Sequence, residues 1–173
     1  MQAKKEPKLE KLSKQELNVI KKFLDEIGVK LYSIASNPMK LVVENAFYND
    51  IFDIPIQLKE LVLNLDSIYS SGFYLGYIKK EKFYPGLPLL RRISRLCYEI
   101  NCIKLNEFGE KLFLYGKRVE NDNIILFKEG FCLVLNQQNE PLGWGIGKVI
   151  NVHKEIKIVE PVKDLGWYLR RGG

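Results

Sequence analysis

The segment 141–147, Pro-Leu-Gly-Trp-Gly-Ile-Gly, constrains the fold more than any other part of the sequence. Its three glycines alternate with Trp144 and Ile146, which gives a β-strand one bare face and one bulky face. Glycine inside a strand costs stability, so this run indicates close packing by another backbone or a helix. The apolar segment 131–135 and a polar turn at 136–140 precede it. Together these segments predict a β-hairpin at the centre of a small β-rich unit.

The first half of the chain has the pattern of an α/β domain with a mainly antiparallel sheet. Ser13 and Glu16 form a predicted capping box, the helix that follows ends near Gly28, and its lysines are expected to face solvent. Residues 1–11 are lysine-rich and expected to be mobile. Strands are predicted at 29–34, 41–43, 50–54 and 73–79. A helix from Pro55 is predicted to bury one face, made of Leu58, Leu61, Val62 and Leu65.

A second domain is predicted to begin where the pattern changes, near residue 99. A helix at 89–98 precedes the change, and the expected domains are therefore 1–98 and 99–173, packed together without a flexible linker. The second domain is predicted to contain a strand at 102–105, a helix at 107–115, an extended piece at 117–119 and the hairpin. A last strand at 156–159 and a short terminal helix or turn at 163–171 complete it. The predicted fold class is α+β.

Composition excludes several classes of protein. The chain has 173 residues, 46% of them hydrophobic and 28% charged, as is typical of a folded protein. No apolar run reaches the roughly 18 residues that span a bilayer, and no signal peptide is evident, so we expect a cytoplasmic protein without membrane contact. The three cysteines and single histidine lack the spacing of a zinc site, which predicts reduced thiols and no metal.

The net charge of +6 is unevenly distributed. Six basic residues and one acid lie between Lys79 and Arg95. In the predicted helix 89–98, apolar residues fall on one face and Arg91, Arg92 and Arg95 on the other. This row of guanidinium groups could follow a phosphate backbone, or it could be a solvated face. The sequence alone leaves both interpretations open.

The succession of elements from strand 102–105 through Phe113-Leu-Tyr-Gly116 to the glycine hairpin resembles a PUA domain, a small RNA-binding pseudobarrel. The segments Phe113-Leu-Tyr-Gly116, Pro141-Leu-Gly-Trp-Gly145 and Asp164-Leu-Gly-Trp-Tyr-Leu-Arg-Arg171 are similar to the ribosome-biogenesis family called Nip-seven. The entry to the basic helix, Lys82-Phe-Tyr-Pro-Gly-Leu87, is similar to archaeal members. The resemblance covers residues 13–171 and is weaker before Gly72. It implies a pre-PUA domain followed by PUA, binding pre-ribosomal RNA without catalysis or cofactor, and contacting other processing factors.

The resemblance also indicates where RNA would bind. Lys157 and Lys163 fall on basic positions of the family, whereas Ile156 and Glu160 do not, and Lys154 is expected to compensate. The predicted RNA-binding residues are Lys148, Lys154, Lys157, Lys163, Arg170 and Arg171, with Lys117 and Arg118 beside Gly116 as a second group.

Other sequence features carry less weight. Trp144 and Trp167 could stack on bases, but aromatic residues beside packed glycines are more often core. His153 has no nucleophile near it in sequence, and the glycines lack the context of a dinucleotide fingerprint.

Three hypotheses follow. The first is a monomeric, non-catalytic RNA-binding assembly factor whose amino-terminal domain docks a protein partner. The second is an RNA-modifying enzyme or its accessory subunit, or an adaptor subunit of an RNA-modifying or RNA-degrading complex, although no catalytic motif is present in the amino-terminal half. The third is a protein adaptor whose basic surface is incidental.

Overall fold

The structure, a computed structural model, describes residues 6–65, 67–97, 101–151, 155–167 and Arg170. The chain folds into two compact units. The first runs to Asp25 and resumes over Lys30–Leu89, and the second contains Glu26–Val29 and the chain from Leu90 onward. The predicted domain boundary after residue 98 stays a prediction.

The first unit is built on a five-stranded antiparallel sheet. Its strands are β1 (Lys8–Lys11), β2 (Pro38–Val42), β3 (Asn49–Asp53), β4 (Phe73–Lys79) and β5 (Lys82–Pro85), hydrogen-bonded in that order. The helices are α1 (Lys14–Glu26), α2 (Leu31–Ile34) and α3 (Lys59–Leu63), the last preceded by a 3₁₀ turn at Ile56–Leu58. One core cluster buries Leu9, Met39, Leu41, Phe52, Ile54, Val62 and Ile68.

Helix α1 begins as predicted. The Ser13 N–H donates to Glu16 Oε2 over 2.7 Å, and the Glu16 N–H donates to Ser13 Oγ over 3.1 Å. These reciprocal bonds satisfy two backbone donors at the helix start. The Lys40 ammonium lies 3.0 Å from Glu16 Oε1, which ties the cap to β2.

The second unit contains a six-stranded, barrel-like sheet. Its strands are β6 (Cys102–Leu105), β7 (Val119–Glu120), β8 (Ile124–Leu126), β9 (Gly130–Leu135), β10 (Pro141–Asn151) and β11 (Ile156–Asp164). The order across the sheet is β7-β11-β10-β9-β6-β8; β6 and β9 are parallel and the other pairs antiparallel. Helix α4 (Leu89–Ile93), a 3₁₀ turn at Ser94–Leu96 and helix α5 (Glu107–Leu114) complete the unit. The α+β class, with one antiparallel sheet and one barrel-like sheet, is confirmed.

The glycines of β10 lie where the barrel is most crowded. A Cβ atom at Gly143 would lie 2.7 Å from Asp164 Cα and 3.0 Å from the Phe113 ring. At Gly145 it would lie 2.8 Å from a Val134 methyl, and at Gly147 it would overlap the Lys128 carbonyl. The prediction of close packing against a helix and a neighbouring backbone is therefore confirmed, because Phe113 belongs to α5.

Several predicted elements are wrong. Residues 31–34 form α2 rather than a strand, and Lys8–Lys11 form β1 rather than a mobile terminus. Helix 89–98 is shorter than predicted, since α4 ends at Ile93. Only Val62 of the predicted apolar face is buried, while Leu58, Leu61 and Leu65 are 47%, 61% and 52% exposed. β11 extends through Asp164, into the predicted terminal helix, because its backbone pairs with β10.

The prediction of three reduced thiols is also wrong. Cys97 and Cys102 form a disulfide with a Cα–Cα separation of 5.6 Å, and Cys132 is free and buried. Spacing alone does not reveal that these two cysteines lie close enough to bond. Within the described residues, no helix is both long and apolar enough to span a bilayer.

Candidate nucleic-acid interface

The outer face of strands β7, β11 and β10 carries part of the predicted basic surface. Lys148 lies opposite Ile158, Glu160 lies opposite Ile146, and Lys163 lies opposite Trp144. An irregularity near Val162 shifts the β10–β11 register by one residue. The Lys163 side chain therefore lies on the same face as that of Lys148. Sequence numbering alone, without this bulge, would assign Lys163 to the face of Lys157.

Two of the predicted cations on this face are paired with acids. Lys148 contacts Glu160, and Arg118 lies 2.7 Å from Glu120. The four side chains are between 41% and 56% exposed. Exposed ion pairs of this kind contribute about 0–1 kcal/mol to stability, so a phosphate can replace the acid at small cost. The pairs nevertheless lower the net positive charge that the sequence indicated for this face.

Arg170 is held by hydrogen bonds within the protein. Its guanidinium donates to both oxygens of the buried Asp164 carboxylate, each over 2.9 Å, and also to the Leu114 carbonyl. The hydrogen bond to Asp164 raises the pKa of Arg170. The same guanidinium covers Gly116, the residue that ends α5 with a φ of +72°. Arg170 thus joins the end of β11 to the end of α5.

Lys157 lies at the rim of the barrel, in a groove of about 490 Å³. Its ammonium is 5.8 Å from the centre of the Phe127 ring, within the range of a cation–π contact. The Asn121 side chain accepts from the Lys157 N–H over 2.6 Å and donates to the Glu155 carbonyl over 3.2 Å. Ile125 and Leu126 line the same groove, and their side chains are 56% and 39% exposed. The groove therefore offers one cation, an amide and an apolar surface, with Glu155 as its acidic member.

Lys117 and Lys163 are exposed residues of the second unit. No ion pair among the described residues involves Lys117, Lys157 or Lys163. Lys154 and Arg171 lie outside the described residues, as does His153. The described members of the predicted group are thus three lysines without a described ion pair, two exposed ion-paired cations and one structural arginine.

The second predicted basic face, Arg91, Arg92 and Arg95, is only partly exposed to solvent. Arg91 and Arg95 are exposed and Arg92 is half-buried, while Leu90 and Ile93 are buried. Arg91 and Arg92 lie on α4 and Arg95 on the 3₁₀ turn after it. The three residues therefore do not all lie on one α-helix, as the prediction of a helix over 89–98 assumed.

The two tryptophans considered for base stacking differ in their exposure to solvent. Trp144 is 1% exposed and its ring centre lies 5.4 Å from that of Phe131, so its ring is buried and not available to stack on a base. Trp167 is 42% exposed. Phe127 and Asn121 were not singled out by sequence reasoning. The apolar run at 124–127 ahead of a glycine was the available signal, but it also fits an ordinary strand.

No group of three His, Cys, Asp or Glu side chains within the described ranges is arranged to hold a metal ion.

The comparisons with known proteins identify both halves of the chain. Residues 9–87 match the family model described as NIP7/UPF0113, pre-PUA domain, and residues 101–173 match the UPF0113 PUA domain. A UPF0113 protein of Aeropyrum pernix is 39% identical over 160 residues, which cover 92% of this chain and 90% of the relative.

Two solved structures share the fold. A conserved PUA domain protein from Thermoplasma acidophilum has a TM-score of 0.56 at 12% identity, over 96% of this chain and 98% of that one. A hypothetical protein from Pyrococcus horikoshii has a TM-score of 0.54 at 17% identity, over 93% and 98% of the two chains. The matches over both halves and the identity to the Aeropyrum relative show that the chain belongs to the NIP7/UPF0113 family, with a pre-PUA domain followed by a PUA domain.

Proposed function

We propose that the protein is a non-catalytic RNA-binding factor that holds RNA through basic residues of its PUA domain. The observation that carries the proposal is the set of three lysines, Lys117, Lys157 and Lys163, that belong to the second unit and take part in no described ion pair. A lysine without a protein counter-ion keeps its full charge for a phosphate. Family membership supports the same ligand, because the PUA domain is an RNA-binding module.

The three lysines have different surroundings, so each would contact RNA in a different way. Lys157 stands over Phe127 in the rim groove, where an unpaired base could lie on the apolar surface while the ammonium meets its phosphate. Lys163 and Lys117 contribute charge outside that groove. Lys148 and Arg118 join them when phosphate replaces Glu160 and Glu120. Arg170 acts on the fold, since its guanidinium is held by Asp164.

The biological setting is part of the proposal. We assign the protein to pre-ribosomal RNA processing during assembly of the large ribosomal subunit, in the cytoplasm, acting as a monomer with a pre-PUA domain at 1–98 and a PUA domain at 99–173. The resemblance to the ribosome-biogenesis family supports this assignment. Crosslinking the protein to RNA in cells and sequencing the attached fragments tests it. Fragments of precursor large-subunit RNA are expected, and a library dominated by unrelated transcripts would overturn the assignment.

Replacement of the free lysines tests the binding surface. The triple variant Lys117→Ala, Lys157→Ala, Lys163→Ala is expected to bind a single-stranded RNA oligomer more weakly and to unfold at the same urea concentration as wild type. A matched control replaces Lys14, Lys21 and Lys22, three exposed lysines of α1, and makes the same change in net charge. Equal losses in both variants would show that only total charge matters and would remove the barrel surface from the proposal.

An adaptor function is the second candidate, and one observation favours it. Ile56, Leu61 and Tyr69 of the first unit are 57%, 61% and 75% exposed, and the nearby Leu58 and Leu65 are also exposed. An apolar patch on a protein surface commonly marks a protein interface. Capture of a partner that survives nuclease and is lost in Leu61→Ser, together with no measurable RNA affinity, would favour the adaptor over the RNA-binding factor.

A further inference from the structure

Three tyrosine rings form a continuous row on one face of the first unit. The Tyr48 and Tyr77 ring centres are 4.9 Å apart, and those of Tyr77 and Tyr84 are also 4.9 Å apart with their planes only 9° from parallel. Tyr77 of β4 pairs directly with Tyr84 of β5, so their side chains point to the same side of the sheet. We call Tyr48, Tyr77 and Tyr84 the tyrosine ladder.

The ladder lies on a side of the sheet that its own unit leaves open there. On the opposite side, Ile78 and Phe83 are buried, and the Phe83 ring packs against Phe23 of α1. Tyr48 and Tyr84 remain 46% and 36% exposed. Since β5 is the edge strand, no further strand of the sheet follows Tyr84. The ladder therefore has an accessible aromatic end.

Two lysines lie on the same face beside that end, and the described residues include no ion pair for either of them. The Lys82 ammonium lies 5.7 Å from the centre of the Tyr84 ring. Lys79 is directly opposite Lys82 across the two strands, and like charges in this position repel. Neither lysine takes part in an ion pair within the part of the chain that the structure describes. An anion placed between them would remove the repulsion.

The turn between β4 and β5, next to these lysines, has an unfavourable backbone conformation. Lys80 and Glu81 connect β4 to β5 with φ angles of 48° and 57°. Two-residue turns of this kind favour Asn-Gly, because other side chains are strained at positive φ. Lys80 and Glu81 are therefore both in a strained backbone conformation. Such conflicts between local sequence and local structure tend to occur at functional sites.

The acids near the ladder are occupied elsewhere. Asp50 pairs with Tyr77 in the register, but its carboxylate accepts a hydrogen bond of 2.9 Å from the Tyr74 hydroxyl. Glu81 accepts a hydrogen bond of 2.7 Å from the Gln15 side chain. Neither carboxylate forms a described ion pair with Lys79 or Lys82.

We propose that the tyrosine ladder is a second RNA site, where an unpaired base of single-stranded RNA stacks on Tyr84 and the adjoining phosphates contact Lys79 and Lys82. Aromatic faces with neighbouring lysines are the usual means of holding single strands without sequence selection. A protein strand adding to the edge of β5 is the competing occupant. Lys82 and Pro85 on that edge disfavour it, because charge and proline block strand addition. The site lies in the pre-PUA domain and is separate from the barrel lysines.

Binding of a fluorescently labelled oligouridine, followed by anisotropy, tests the proposal. Tyr84→Ala is expected to raise Kd roughly five- to 150-fold, which corresponds to the free energy of about 1–3 kcal/mol lost with one base–aromatic stack. Tyr84→Phe keeps the ring and is expected to bind within about twofold of wild type. Tyr32→Ala, at another exposed tyrosine of the same unit, is the matched control and is expected to leave Kd unchanged.

The salt dependence separates stacking from charge. Tyr84→Ala should leave the slope of log K against log salt unchanged, whereas Lys79→Ala with Lys82→Ala should reduce its magnitude by about 1.4, or roughly 0.7 for each phosphate contact. Wild-type affinity in Tyr84→Ala, or an equal loss in Tyr84→Phe, overturns the stacking site. Binding of a protein that is lost in Tyr84→Ala while RNA affinity is unchanged also overturns it. A loss in Tyr84→Ala with none in the triple barrel variant supports the ladder and refutes the barrel surface.

Discussion

Replacing Gly143 by alanine tests the packing on which the barrel depends. The new methyl group would lie 2.7 Å from Asp164 Cα and 3.0 Å from the Phe113 ring, and the first of these atoms is backbone. β11 cannot relieve this contact by rotating a side chain, because the obstructing Asp164 Cα is backbone. Overpacking of a well-packed core costs about 1–3 kcal/mol, and a backbone obstruction places this variant near 2 kcal/mol or above.

The companion substitution at Gly145 sharpens the test. There the nearest atom is a methyl of Val134 at 2.8 Å, which a smaller side chain would remove. Val134→Ala should therefore offset part of the cost of Gly145→Ala, but none of the cost of Gly143→Ala. A double-mutant cycle measures this difference as a coupling free energy.

Urea and thermal unfolding, followed by fluorescence of the buried Trp144, provide the assay. For a chain of 173 residues, a loss of 2 kcal/mol corresponds to a melting temperature lower by about 4–8 °C. If Gly143→Ala unfolded at the same urea concentration as wild type, the close approach of β10 to β11 and α5 would be refuted. Equal rescue of both glycine variants by Val134→Ala would also contradict it.

Three further predictions concern single groups. Burial raises the pKa of the Cys132 thiol to about 11, so thiol titration at pH 8 should detect no reactive cysteine in the native protein. Unfolding should expose one thiol, and unfolding with reductant should expose three. Burial raises the pKa of Glu16, but hydrogen bonds from Ser13 and Lys40 outweigh it and lower the pKa below 4.5. Glu16→Gln should therefore lower the free energy of unfolding by about 1 kcal/mol at pH 7, measured by urea unfolding. The difference from wild type should vanish as the pH falls through the lowered pKa. Asp164→Asn should lower the melting temperature by several degrees, because it removes the charge that holds Arg170.

The sequence predicted elements best where a local pattern determines the structure. The capping box at Ser13 and Glu16 fixes the start of α1 through bonds three residues apart. The alternating glycines predicted both the strand β10 and the close packing against it. These features depend on side chains near one another in sequence, so no knowledge of the tertiary fold was needed.

Elements determined by distant partners were predicted poorly. The segment Lys8–Lys11 becomes a strand because β2 offers it backbone partners. Lys163 lies on the same face as Lys148 because of the irregularity in β11. The pairing of Lys148 with Glu160 depends on the β10–β11 register, and Arg170 is paired with Asp164, so counting basic residues overestimated the free charge.

The tyrosine ladder shows the same limit for the candidate sites. Tyr48, Tyr77 and Tyr84 are spread over a loop and two strands, and only the β4–β5 register brings two of them into parallel contact. The sequence did reveal an excess of lysine near residue 80. It could not reveal that these lysines lie beside stacked rings.

The dependence of RNA affinity on salt concentration, compared between wild type and the Lys117, Lys157 and Lys163 alanine variant, tests the central claim most directly. Three phosphate contacts correspond to a contribution of about −2 to the slope of log K against log salt. We expect the slope of the triple variant to be smaller in magnitude by about 2, while the α1 control variant retains the wild-type slope. Identical slopes in all three proteins would contradict binding of RNA by the free lysines of the barrel.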